Sequence, residues 1–207
     1  MAFYPLYMDL EGKKCVVIGG GEVAERKVAS LLECGADVEV ISQEFTPGLI
    51  KLATEGKLKI KNRAYGPGDL KGATLAIVAT DNSAVNKEAY HEANENQIPV
   101  NVVDMPEFCS FIVPSIIRRG DLIISISTSG SCPALAKSIR KQLQQIFGEE
   151  YADYCEVLRK FRREVVDKYD EPEERRRALD RLIKSDAIDL VRARKVQELE
   201  ERVISCM

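Results

Sequence analysis

Three consecutive glycines, Gly19-Gly20-Gly21, follow the apolar run Cys15-Val16-Val17-Ile18 and lead into Glu22-Val23-Ala24. Read as GxGxxA between a strand and a helix, this is the arrangement that a bound dinucleotide requires. Gly19 permits the tight turn, Gly21 lets the backbone approach a pyrophosphate, and Ala24 allows close helix packing. The helix N-terminus, opened by Glu22 and Val23, faces the negative charge. The chemistry served by such a turn is oxidoreduction with a nicotinamide cofactor.

The remaining cofactor contacts depart from the usual pattern. A ribose-binding acid belongs at the end of the second strand, about 20 residues past the turn, and Ser42 stands there instead. Gln43 or Glu44, just beyond the strand, is left to hold the adenosine ribose. No Arg or Lys lies between Val38 and Phe45 to receive a 2′-phosphate, which favours NAD over NADP. Regulatory NAD-sensing domains share the glycine turn but commonly keep the acid that Ser42 replaces. Thr80 and Asp81 follow the fourth strand, at the sheet edge where such ligands bind. Asp81 serves equally well as the cap of the helix starting near Asn82. His91 is the only histidine and reads as a surface residue, and the six cysteines contain no CxxC pair, so no metal site is expected.

These residues need a scaffold of alternating strands and helices. Strands are expected at Lys14 to Ile18, Val38 to Ser42, Lys57 to Asn62, Leu75 to Ala79 and Pro99 to Val103. Helices are expected at Glu22 to Cys34, Thr46 to Glu55 and Asn82 to Asn96. The alternation implies an α/β fold with a parallel, Rossmann-type sheet forming an NAD domain over residues 1–113. After Asp104 the pattern changes. A hairpin is expected around Arg119-Gly120-Asp121, then a helix from Pro133 with Leu135, Ile139, Leu143 and Ile146 along one side and Gly148 at its end. These make a small α+β segment, 114–148. From Glu149 onward the chain reads as a helical C-terminal domain, 149–207. Tyr151, Tyr154, Leu158, Phe161 and Val165 form a packing seam, Pro172 breaks that run, and two shorter helices follow. One carries Leu179, Leu182 and Ile183, the other Ile188, Val191, Leu199 and Val203.

With 207 residues, 45% hydrophobic and 30% charged, the chain has an ordinary globular composition. Its net charge of -3 argues against nucleic-acid binding. Neither a signal peptide nor a membrane span is apparent, so a cytoplasmic location is expected.

Taken together, several segments resemble the precorrin-2 dehydrogenase/sirohydrochlorin ferrochelatase module of siroheme synthases over roughly the first three quarters of the chain. They are Pro5-Leu6-Tyr7, the stretch from Val17 through Glu25-Arg26-Lys27, Ala79-Thr80-Asp81 with Asn86, Asn101 to Asp104, Ser110 to Ser115, and Pro133-Ala134-Leu135-Ala136. The resemblance implies a homodimer built through the segment around Phe111 to Gly148, which also helps wall the tetrapyrrole cleft. It implies NAD-dependent oxidation of precorrin-2 to sirohydrochlorin, and in bifunctional members insertion of Fe2+. Asp104 matches the family's functional aspartate; at a strand's carboxyl end it can accept a proton or steer a metal ion, or simply form a turn. Ser110 falls in the family's substrate motif. Arg118, Arg119, Lys137, Arg140 and Lys141 are candidates for the substrate's carboxylates or ordinary solvated charges. Thr128 stands where bifunctional members often carry a serine. No methyltransferase domain is recognised in these residues, so a separate enzyme is expected to supply the substrate.

Overall fold

The computed structural model describes residues 3–207, which divide into two compact units, 3–113 and 114–207. In the first unit β1 (Lys14–Ile18), α1 (Glu22–Leu32), β2 (Asp37–Ser42), α2 (Pro47–Thr54), β3 (Lys59–Asn62), β4 (Leu75–Val78), α3 (Ser83–Glu95) and β5 (Val100–Val102) alternate. All five strands run parallel in the order β3-β2-β1-β4-β5.

Side chains alternate across this sheet, and both faces are covered. Cys15 and Val17 of β1 pack with Ala24, Val28 and Leu31 of α1 and Leu49 of α2. Val16 and Ile18 point the other way, toward Ala89 and Ala93 of α3. Double coverage explains why β1 and β4 read as unbroken apolar runs rather than alternating ones. The chain passes from β3 at one edge back to β4 on the far side of β1. The strand order therefore reverses between β1 and β4, and their carboxyl ends frame a crevice.

In the second unit β6 (Ser115–Arg119) and β7 (Leu122–Ile126) form an antiparallel hairpin across Gly120-Asp121. It is followed by α4 (Pro133–Ile146), α5 (Glu150–Lys168), α6 (Pro172–Lys184), α7 (Ala187–Arg192) and α8 (Val196–Ser205). Segments 114–148 and 149–207 lie within this one unit, since α4 and α5 both pack on the hairpin. Tyr154, Phe161 and Val165 of the expected seam form the core with Ala178, Leu182, Ala187 and Cys206. Pro172 opens α6, where its missing N–H costs nothing. The single helix expected to carry Ile188 through Val203 is two helices, broken where Arg194 takes a left-handed conformation with φ 56°. No helix among the described residues is long and apolar enough to cross a membrane.

Candidate cofactor-binding site

The glycine turn sits at the carboxyl end of β1, and each glycine answers to a different neighbour. Gly19 has φ 116°, and a Cβ there would lie 2.1 Å from the Ala79 carbonyl oxygen. A Cβ on Gly20 would lie 1.9 Å from the Glu44 carbonyl oxygen. Gly21 differs: a Cβ would meet nothing within 4 Å. It caps α1, and no side chain bonds to the helix's first amides. The first-turn N–H groups, those of Glu22 and Val23 among them, have no acceptor one turn back within the helix. An open space facing uncapped amides and the positive end of a helix fits a pyrophosphate, so the residues present suit a dinucleotide.

Around this turn the structure brings together most of the expected contacts. Gln43 and Glu44 are exposed just past β2, on a segment whose Thr46 N–H donates to the Gly20 carbonyl at 2.9 Å. Ser42 Oγ lies 2.9 Å from where a Gly20 Cβ would be and accepts from the Glu44 N–H at 3.4 Å. Thr80 stands beside Gly19, but its hydroxyl is occupied, donating to Asn86 Oδ1 at 2.8 Å and accepting from the Asn82 N–H at 3.1 Å. The cap of α3 is Asn82, whose Oδ1 accepts from Ala84 and Val85. That role does not fall to Asp81, which is exposed.

Asp104 follows β5 with φ 61°, a conformation that Asp tolerates better than most side chains, and its carboxylate is exposed. Both expected roles, turn former and carboxylate at the sheet edge, suit this position. Close by is Lys27 of α1, a residue to which sequence reasoning assigned no role. Burial, reinforced by Arg26, pulls its ammonium below the usual lysine value, while Asp104 and Cys109 pull the other way. Its spacing of four from Val23 puts both on the half-buried face of α1, which is the signal that could have found it.

Three of the expected substrate contacts, Ser110, Arg119 and Arg140, have partners within the chain. Ser110 Oγ accepts from the Val100 N–H at 2.7 Å and donates to the Val100 carbonyl at 3.2 Å, so its hydroxyl serves the backbone of β5. Arg119 donates to the carbonyls of Phe147 and Arg118 and pairs with Glu149 at 3.2 Å, closing the C-terminal end of α4. Lys137 is exposed on α4, Arg118 is exposed on β6, and Arg140 donates to Gln144. His91 is exposed on α3. No group of three or more His, Cys, Asp or Glu side chains that could hold a metal occurs among the described residues.

A family described as "Putative NAD(P)-binding" matches residues 6–115, more than half of the chain and the whole of the glycine-turn sheet. The chain belongs to this NAD(P)-binding family. It is 39% identical to the siroheme synthase of Methylobacillus flagellatus over 176 residues, 85% of this chain and 38% of that protein. With the siroheme synthase of Ruthia magnifica subsp. Calyptogena magnifica the identity is 35% over 198 residues, 96% of this chain and 42% of the relative. The chain thus spans about two fifths of the length of these curated relatives. Among solved structures it is similar to "SirC, precorrin-2 dehydrogenase", with 27% identity and a TM-score of 0.79, covering 96% of this chain and 100% of that one. The NAD(P)-binding sheet and the helical segments after it both fall within that match.

Proposed function

We propose that this chain is an NAD-dependent precorrin-2 dehydrogenase that forms sirohydrochlorin for siroheme synthesis. The observation that carries the reading is the uncapped, unobstructed N-terminus of α1 at Gly21, with Asp104 at the carboxyl end of the same sheet. The full-length likeness to a solved precorrin-2 dehydrogenase supports the choice of substrate.

In this reading Gly19, Gly21 and the backbone amides of Glu22 and Val23 hold the pyrophosphate, Gln43 or Glu44 holds the adenosine ribose, and Thr80 lines the crevice. Glu44 opposes a 2′-phosphate, which favours NAD over NADP. Bound NAD+ supplies the hydride acceptor. Precorrin-2 loses two hydrogens, one as hydride and one as a proton, so the products are sirohydrochlorin, NADH and H+. Asp104 is the proton acceptor, and Lys27 stands near enough to act on that carboxylate. Lys137 and Arg118 are the cations assigned to the substrate's carboxylates.

The assembly is a homodimer. On β6 and α4, Ile116 is 40%, Leu135 50% and Ile146 59% exposed. A second copy of the same surface would bury this apolar band.

Purified protein given precorrin-2 and NAD+ without oxygen should produce NADH and sirohydrochlorin in equal amounts. Absence of both products would overturn the reading. Adding Fe2+ to sirohydrochlorin, with wild type and Asp104→Asn side by side, tests metal insertion separately from oxidation.

A further inference from the structure

Residues 43–46 fold back over the glycine turn and are fastened to it at two points. The Thr46 N–H donates to the Gly20 carbonyl at 2.9 Å, and the Thr46 hydroxyl donates to Glu25 Oε2 at 2.5 Å. Glu25 lies one turn into α1, and its own N–H donates to the Gly21 carbonyl at 3.0 Å. Thr46 is also the N-cap of α2, its Oγ1 accepting from the Leu49 N–H at 3.3 Å. The hydroxyl proton and a lone pair are therefore both committed, and the Thr46 side chain has one orientation.

Sterics enforce the same geometry. A Cβ on Gly48 would lie 1.9 Å from Glu25 Oε1, so this glycine makes room for the carboxylate. Gly20 makes room for the Glu44 carbonyl in the same way. Glu25 therefore spends its charge on the loop and not on the open space in front of Gly21. An acid at the end of β2 would be held by the sheet itself. With Ser42 there instead, the ribose contact moves to a loop, and a loop contact is only as good as the loop's anchorage.

We infer that Glu25 and Thr46 form a clasp that positions Gln43 and Glu44 for the adenosine ribose, making Glu25 a positioning residue for the cofactor. This rests on the cofactor reading above. The test is calorimetric titration of NADH into the full chain without tetrapyrrole, followed by steady-state kinetics. Glu25→Ala and Thr46→Val should each weaken NADH binding about tenfold, the scale of one charge-assisted hydrogen bond. AMP inhibition should weaken in parallel and the KM for NAD+ should rise, while kcat and the KM for precorrin-2 stay at wild-type values. Glu25→Gln and Thr46→Ser keep an acceptor and a donor and should bind as wild type does. If Glu25→Ala fails to fold, Thr46→Val, which keeps the side-chain shape, carries the same reading. NADH binding unchanged in both disruptive variants, or a loss that falls on kcat, would overturn the clasp alone. A wild-type chain that binds no NADH would overturn the cofactor reading and the clasp with it.

Discussion

At the scale of single residues, the glycine turn separates binding from folding. Gly21 faces open space, so Gly21→Asp sets a carboxylate against the phosphates without disturbing the protein. NADH affinity should fall by more than about a hundredfold, on the scale of a buried like-charge contact, while the melting temperature stays near wild type. Gly19→Ala should damage the fold as well as the site. A Cβ 2.1 Å from the Ala79 carbonyl, on a residue with φ 116°, must displace the β4 end, and circular-dichroism melting should show the loss of stability. Asp104→Asn tests the chemistry itself. Asn accepts the left-handed backbone of this position, so the fold should persist while turnover drops about a hundredfold or more, the usual share of one proton-transferring group. The triple-glycine motif was legible because its spacing encodes its job. The demand on Gly20 was not, since the Glu44 carbonyl that crowds it belongs to a loop whose path no local pattern reveals.

At the scale of elements, the connection between β3 and β4 has no regular structure and is held by two carboxylates. Asp69 binds the Arg63 guanidinium in a fork and accepts from the Gly66 N–H at 2.9 Å. Glu92 of α3 accepts from the Tyr65 hydroxyl and from the Gly68 and Leu70 N–H groups. The Arg63 bond, aided by the Gly66 N–H, holds the Asp69 carboxyl down to about 2. A carboxyl held below its unfolded value adds stability in full above that value and loses it as pH falls toward the folded one. Wild type should therefore lose stability between about pH 4 and pH 2, and Asp69→Asn should flatten that acid limb in urea melts followed against pH. Glu92→Ala should speed hydrogen exchange at Gly68 and Leu70, whose N–H groups lose their acceptor, before it affects the sheet. The strands and first three helices were legible to within a few residues because burial on both faces writes a dense apolar signal. The break at Arg194 was not, because a left-handed arginine has no compositional mark.

At the scale of the whole molecule, the proposed homodimer would bury the apolar band on α4 and the hairpin. Light scattering should report twice the 23.1 kDa chain mass, and Leu135→Glu should shift the population toward monomer at micromolar concentration. The band was half legible. The spacing of Leu135, Ile139, Leu143 and Ile146 announces an apolar stripe, but only the structure reports that Leu135 and Ile146 stay uncovered by the chain itself. Expectations for the substrate cations were less legible still. An arginine in sequence is a charge, and whether it meets a ligand or, like Arg119 of β6, the C-terminal end of α4 depends on packing across 28 residues.

β5 is an edge strand only three residues long, and its outer side is already taken. Ser110 holds the N–H and carbonyl of Val100, and Cys109 Sγ lies 3.3 Å from the Val102 N–H and 3.2 Å from its carbonyl oxygen. Two side chains thus imitate the strand that would otherwise sit there. An edge stoppered in this way offers a neighbouring chain no template along which to extend the sheet.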